Sequence, residues 1–181
     1  MERLKRCSIL LSLIRNLREQ GSWCGETHIQ KTTYFLQELL NIPLGFDFIL
    51  YKYGPYSFDL TDELSAMRAD KIVALQPKIP YGPSYIIDEV GHLVSKLYPT
   101  TLKKFNPQIT FVADKLGNKN VSELERLATA LYICSEIEPS TDIEKQAELI
   151  NKIKPHISLT QAKDAIGLID QFKKEAQELI H

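Results

Sequence analysis

Apolar positions recur every three or four residues over most of the chain, a spacing that predicts helices. Cys7, Leu10, Leu11, Ile14 and Leu17 form one stripe, so a first helix is expected over Leu4 to Gln20, stopped by Gly21. A second is expected over Thr27 to Leu40, with Thr27 as N-cap and Gln30 at the capping-box position. Its inner face reads Ile29, Thr32, Leu36, Leu39 and Leu40. Gln30, Tyr34, Gln37 and Glu38 then project away from it.

The period changes at Phe46. Phe46, Phe48, Ile49, Leu50, Tyr51 and Tyr53 suit a pleated, half-buried strand. Alternation sets Phe48, Leu50 and Lys52 against Ile49, Tyr51 and Tyr53. Gly54 tolerates a positive φ and Pro55 fixes the next one, so the strand is expected to turn there and restart as a helix. Ser57 is its natural N-cap, or Asp59 if it begins later, with Leu60, Leu64 and Met67 inward.

Ile72 to Leu75 and Ser84 to Glu89 read as two further strands. The intervening Gln76 to Pro83 is too proline-rich for a tight two-residue hairpin. An amphipathic helix follows, ending near Tyr98. Helix, helix, strand, helix, hairpin and helix is the order of a winged-helix-like domain, expected over residues 1–98. Pro99 to Phe105 is a candidate junction.

Beyond it the pattern is helical throughout. A short helix starts at Asn106-Pro107 and ends at Gly117. A longer one is capped by Asn120 with Glu123 in an N-x-x-E box and turns Leu124, Leu127, Ala128, Leu131 and Cys134 inward. A third runs from Asp142 to Lys154, and Ser158 with Gln161 opens the last. The expected class is therefore α+β, mainly α: a winged-helix-like domain with a small antiparallel sheet, and a helical extension over 99–181 packed on it.

Composition narrows the function more by exclusion than by indication. A chain of 181 residues, 44% apolar, buries roughly 70% of its extended surface and needs no staples. Its net charge of −1 exerts no global pull toward nucleic acid or anionic membrane. No apolar run approaches the roughly 18 residues of a membrane span, and the early run Ser8 to Ile14 lacks a leader's cleavage site. Cys7, Cys24 and Cys134 make no pair and no zinc spacing, which fits free thiols in a reducing cytoplasm.

Chemistry-bearing constellations are few. Cys24 and His28 stand four apart at a helix start, where the dipole would favour a thiolate. No third group or oxyanion loop accompanies them. His92, His156 and His181 match no ligand spacing, and Gly54, Gly82 and Gly91 are isolated, so neither a metal nor a nucleotide cofactor is expected. Cys134 falls on an apolar stripe and reads as an inert thiol.

The helix after Pro55 occupies the place of a DNA-recognition helix, yet Asp59, Asp62, Glu63 and Asp70 share one sector of it. Residues 57–71 sum to about −2, with four carboxylates against Arg68 and Lys71. Such a face repels phosphate and suits a basic partner. If nucleic acid is bound, its contacts fall to Lys103, Lys104, Lys115 and Lys119, or to the first helix, where five basic residues face two acidic ones.

Two motifs carry a resemblance. Ile29-Gln30-Lys31-Thr32-Thr33-Tyr34-Phe35-Leu36-Gln37 is followed by Tyr51-Lys52-Tyr53-Gly54-Pro55-Tyr56-Ser57 and Leu60. Together they resemble the paired motifs of the Panacea-type (SocA-like) antitoxin domain and, more closely, the related YwgA-like bacterial and archaeal proteins. Leu124 to Ile133 resembles a further helix of the YwgA-like group. The resemblance covers most of residues 1–135. It implies a small cytoplasmic protein of mobile elements or defence loci, and, by the Panacea group, one that neutralises a toxin by binding it without catalysis.

The expectation is thus a non-catalytic protein-binding module without cofactor or metal, contacting a toxin or defence subunit. Its candidate contacts are Tyr34, Gln37, Tyr53, Tyr56, Asp59, Asp62 and Glu63, with Gly54 and Pro55 as the structural turn. A nucleic-acid-binding winged-helix regulator using the four lysines is the alternative.

Overall fold

The computed structural model describes residues 1–79, 81–140 and 142–180, and the backbone alone at Tyr81. It is mainly helical, with eight α-helices and two separate two-stranded antiparallel sheets among the described residues. The single three-stranded scaffold implied by the strand pattern does not form. The hairpin at residues 49–56 and the one at 73–87 pair only within themselves.

Helix α1 (Arg3–Glu19) buries more than its predicted stripe. Ile9 and Leu13 are as inaccessible as Cys7, Leu10, Leu11, Ile14 and Leu17. The reason is packing on several sides, against later helices and a later strand. Helix α2 (Glu26–Glu38) is the centre of the molecule: every residue from His28 to Leu36 is buried. Its N-cap is Gly25 rather than Thr27, with no side-chain cap. Gln30 is not in a capping box, because its amide is spent on Ser57, accepting from the Ser57 N–H and donating to the Ser57 carbonyl at 2.9 Å each.

The strand expected over Phe46 to Tyr53 is shorter and the turn lies earlier. Strand β1 (Ile49–Tyr51) and strand β2 (Gly54–Tyr56) form a hairpin closed by Lys52-Tyr53, with Tyr51 opposite Gly54 and Leu50 opposite Pro55. Gly54 and Pro55 are therefore strand residues, not the bend itself. The predicted alternation holds as far as Tyr51; Lys52, expected on the side of Phe48 and Leu50, is exposed in the turn. Phe48 and Leu50 pack on the core, while Ile49, Tyr51 and Tyr53 face outward. Helix α3 (Phe58–Ala69) starts where expected: the Ser57 hydroxyl accepts the Leu60 N–H at 3.2 Å, and Leu60, Leu64 and Met67 are buried.

Strand β3 (Val73–Lys78) and strand β4 (Tyr81–Ile87) run closer together than the proline content suggests, with Lys78 opposite Tyr81. A register shift between Gln76 and Lys78 absorbs Pro77, which has no N–H to give a ladder. Pro80, within the expected loop, lies outside the described residues. Helix α4 (Glu89–Leu97) is capped by Asp88.

The junction at Pro99 to Phe105 is instead the first part of α5 (Pro99–Leu116), one helix with Pro107 inside it. Pro107 and Lys103 are both exposed, so the carbonyl that Pro107 leaves unpaired can meet water. Helix α5 lies along α1, and α6 (Val121–Tyr132) packs on α2 and on β2. The Asn120–Glu123 capping box forms as predicted. A π-turn over Ile133–Ile137 follows, closed by the Glu138 N–H on the Ile133 carbonyl at 2.8 Å. Helix α7 (Ile143–Ile153) and helix α8 (Leu159–Ile180) complete the chain. Ala162, Ile166, Ile169, Phe172 and Ala176 of α8 are buried against α6 and α7 as their spacing requires. No helix among the described residues is long and apolar enough to cross a membrane.

Candidate functional site

The two sequence motifs meet face to face. Lys31, on the central helix, is 2% exposed and donates from Nζ to the Pro55 carbonyl at 2.7 Å. Gln30 pairs with Ser57 as described, and Gln37 repeats the device with Phe46, donating to its carbonyl at 2.8 Å and accepting its N–H at 2.9 Å. Each glutamine stands in for a neighbouring strand, satisfying both backbone groups of one residue. Three polar side chains of α2 thereby hold the whole segment 46–57 in place.

The C-terminal helices supply the rest of the seat. Lys154, 6% exposed, donates to the carbonyls of Tyr51 (2.7 Å) and Lys52 at the hairpin tip. Glu125, equally buried, is 4.0 Å from Lys154 Nζ and 3.1 Å from His156 Nε2. Gly54 has φ +82°, and a Cβ there would stand 3.0 Å from Thr129 Oγ1 and 3.4 Å from the Glu125 carbonyl. Burial lowers the Lys31 ammonium pKa to about 8, with Glu125 opposing and Lys154 adding to the shift. Burial also lowers that of Lys154, opposed by Glu125. The cluster is a clamp: two lysines on three carbonyls of one turn, with one buried carboxylate near both.

What the clamp presents outward is apolar. Ile49, Tyr51, Tyr53 and Phe58 are 48%, 53%, 56% and 54% exposed. Tyr51, Tyr56 and Phe58 form a ring cluster with centroids 5.1–5.8 Å apart. Tyr56 is half-buried, its hydroxyl 2.6 Å from Thr61 Oγ1 and donating to Glu26 at 3.0 Å.

The predicted contact residues separate into two groups. Tyr53, Tyr56, Asp59 and Asp62 reach the surface beside this cluster. Tyr34 and Glu63 do not. Tyr34 is 1% exposed because Phe48 and Tyr132 cover the face of α2 assigned to solvent. Glu63 is 7% exposed and receives Arg3 at 2.8 Å and Arg6 at 2.7 Å, while Asp70 also pairs with Arg3. The basic rim of α1 thus neutralises part of the acidic face of α3. Gln37 is half-buried and committed to Phe46 and Glu38.

The lysines proposed for nucleic acid divide likewise. Lys103 and Lys104 are exposed, whereas Lys115 is 2.6 Å from Glu175 and Lys119 is 3.7 Å from Glu123. Cys24 and His28 do not pair. The Cys24 thiol is fully buried against the Ile14 carbonyl, and burial pushes its pKa up to about 12, the reverse of an activated thiolate. His28 meets the Lys119 carbonyl at 3.2 Å, and burial lowers its pKa. Cys134 is buried with its pKa raised to about 11. His156 lies beside Glu125, and His181 is outside the described residues. No group of described His, Cys, Asp and Glu residues is placed to hold a metal ion.

A groove of about 700 Å³ lies between the β3–β4 hairpin and the N-terminal ends of α2 and α6. Trp23, Glu26, Arg68, Lys78 and Lys119 line it, and Lys78 stands 4.5 Å over the Trp23 ring.

Lys31, Glu125, Thr129 and Lys154 were not singled out from sequence. Lys31 alone carried a signal: a lysine flanked by the inward positions Ile29 and Thr32. The other three lie about 70 to 100 residues downstream of the turn they hold. Neither a comparison with protein-family models nor one with curated proteins finds a match for this chain.

Proposed function

We propose that this chain is a non-catalytic protein-binding module, antitoxin-like or a binding subunit of a prokaryotic defence or mobile-element system, acting in the cytoplasm. The observation that carries the reading is the exposed group Ile49, Tyr51, Tyr53 and Phe58 on a hairpin clamped from behind. Large aromatic side chains on a rigid base lose little conformational entropy on contact, which is the character of an interface hot spot. Asp59 and Asp62 at its edge select a partner face that is apolar at its centre and basic at its rim. The resemblance of the two motifs to the Panacea-type and YwgA-like groups supports the same reading. Within it, residues 1–98 are read as the winged-helix-like part, with the β3–β4 hairpin as the wing, and 99–181 as the extension that completes the clamp.

Tagged protein expressed from its native locus should recover a stoichiometric polypeptide partner. The Tyr51→Ala/Phe58→Ala variant should lose that partner with an unchanged melting temperature. The reading fails if the native protein recovers no such partner and suppresses no neighbouring toxin.

The nucleic-acid reading has a narrower basis, the exposed pair Lys103 and Lys104. With Lys115 and Lys119 already facing carboxylates, little charge is left to displace counterions from a duplex. A salt-dependent nanomolar shift on duplex DNA, lost in Lys103→Ala/Lys104→Ala, would establish it in place of the first.

A further inference from the structure

A pocket of about 410 Å³ opens between the C-terminal half of α2, the approach to β1 and the π-turn. Four aromatic residues line it, Tyr34, Phe46, Phe48 and Tyr132. Tyr34 lies 5.1 Å from Phe48, nearly edge-on, and 6.2 Å from Tyr132. Three exposed carboxylates, Glu38, Asp47 and Glu136, stand around it, and none of them is in an ion pair among the described residues. No basic side chain among the described residues lines it. Glu136 is presented by the π-turn, a distortion that recurs at functional positions.

A second observation points to a ligand. The Tyr34 hydroxyl is buried and has no hydrogen-bond partner among the described residues. Buried polar groups are normally paired. The phenol sits in a negative field: besides burial, Glu38, Glu136 and Tyr132 all push its pKa upward. That oxygen has a lone pair free to accept, and beside three carboxylates that are in no ion pair among the described residues it suits a cation that carries several N–H groups.

The type of cation follows from the walls. A compact metal ion needs convergent ligands, and the described carboxylates do not converge on one. A lysine ammonium is strongly hydrated and has no flat face to lay on a ring. A guanidinium is planar, weakly hydrated, stacks on aromatic faces and offers five donors. We propose that this pocket receives the guanidinium of an arginine on the partner polypeptide. For its source, though not its chemistry, this rests on the protein-binding reading. Phe48 continues directly into β1, and three strand residues span about 10 Å, so a polypeptide lying on Tyr51 can reach the pocket with one long side chain.

The test uses the full chain and short capped peptides, Ac-Gly-Arg-Gly-amide against its citrulline counterpart, followed by amide chemical shifts at millimolar peptide. Citrulline keeps the shape and removes the charge. The arginine peptide should shift residues 34–38, 46–48 and 132–137 saturably, and the citrulline peptide should bind about tenfold more weakly. Glu136→Gln should weaken the arginine peptide by a similar factor, and Tyr34→Phe should weaken it at unchanged melting temperature. Absence of saturable shifts, equal binding of citrulline, or unaltered affinity in Glu136→Gln overturns the site. A lysine peptide that binds as well as arginine overturns the guanidinium preference. Free arginine brings its own carboxylate toward three others and should bind more weakly than the capped peptide; tighter binding would assign the pocket to a small molecule instead. The Tyr51→Ala/Phe58→Ala variant should retain peptide binding, so failure of partner capture and failure of the pocket are separable.

Discussion

Lys31 Nζ donates to the carbonyl of Pro55 across 2.7 Å inside the protein, joining the centre of the first motif to the centre of the second. A buried lysine is costly unless its charge is paired or its protons are placed. Here it serves as a donor to a carbonyl that the hairpin turns away from its own ladder. Lys31→Met keeps the volume and removes the donor, leaving the Pro55 carbonyl unsatisfied. The expected loss is about 1–3 kcal/mol in urea unfolding. Unchanged stability would mean the carbonyl finds water and the contact is incidental.

The same residue makes a pH prediction. Its folded pKa of about 8 lies below the ordinary 10.5, so between those values the unfolded chain holds more protons than the folded one. Stability from this group therefore rises with pH across that window and is flat below it. Lys154 shifts in the same direction. The stability gap between native protein and Lys31→Met should widen from pH 8 toward pH 10, by at most about 3 kcal/mol. A gap that narrows with pH would show that the ammonium is not desolvated.

Gly54 and Gly45 have nearly the same backbone, φ +82° and +77°, but different surroundings. A Cβ at Gly45 meets nothing within 4 Å; one at Gly54 meets Thr129 and Glu125. Gly45→Ala should cost about 1 kcal/mol and Gly54→Ala distinctly more. Thr129→Ala should recover part of the Gly54→Ala loss in the double variant. Equal costs at the two glycines would show that α6 is not pressed against the turn.

Glu63 and Asp62 are adjacent in sequence and opposite in role. Glu63→Gln weakens two arginine contacts at a buried carboxylate and should cost about 2 kcal/mol in urea, discounted because Arg3 is 43% exposed. Asp62→Asn, at an exposed position with no ion pair among the described residues, should stay within about 0.5 kcal/mol. A similar cost at both would return the acidic face to solvent.

Tyr34→Ala opens a large cavity beside Phe35, Phe48 and Tyr132 and should cost about 3–5 kcal/mol. Tyr34→Phe removes only a hydroxyl without a partner and should leave melting unchanged or raised. A large loss in Tyr34→Phe would reveal a bond to an ordered water.

Alkylation tests the thiols. Cys7 and Cys24 are buried with pKa values near 12, and Cys134 near 11. Iodoacetamide at pH 8 should label the native protein no faster than it unfolds, as read by mass spectrometry. Rapid labelling at Cys24 would restore it as a nucleophile.

Local chemistry was legible wherever neighbours in sequence settle the outcome. The Asn120–Glu123 box, the Ser57 cap, the stripes of α3 and α8 and the alternation from Phe48 to Tyr51 depend on residues within a few positions of one another. A helix or strand period exposes such patterns directly. Boundaries with competing local signals were misread. Pro107 marks a helix start in sequence, but at an exposed position it is carried inside α5 because its freed carbonyl faces solvent.

Burial of polar residues was decided only by the tertiary structure. Period alone sorts side chains by character, so Gln30, Tyr34 and Glu63 read as outward and Lys31 was not assigned to the core. All four are inside, because β1–β2, α1 and α6 bring backbone carbonyls, arginines and aromatic rings to meet them. A polar side chain is buried when its partner arrives, and the partners here come from about 15 to almost 100 residues away. The chain alone therefore determined that it is mainly helical with short strands, and which apolar stripes face inward; the β1–β2 hairpin and the start of α5 were not among the things it settled. Long-range hydrogen bonds, each needing two distant groups at one distance, decided which of its polar faces belong to the core and left Tyr51, Tyr53 and Phe58 as the face for solvent.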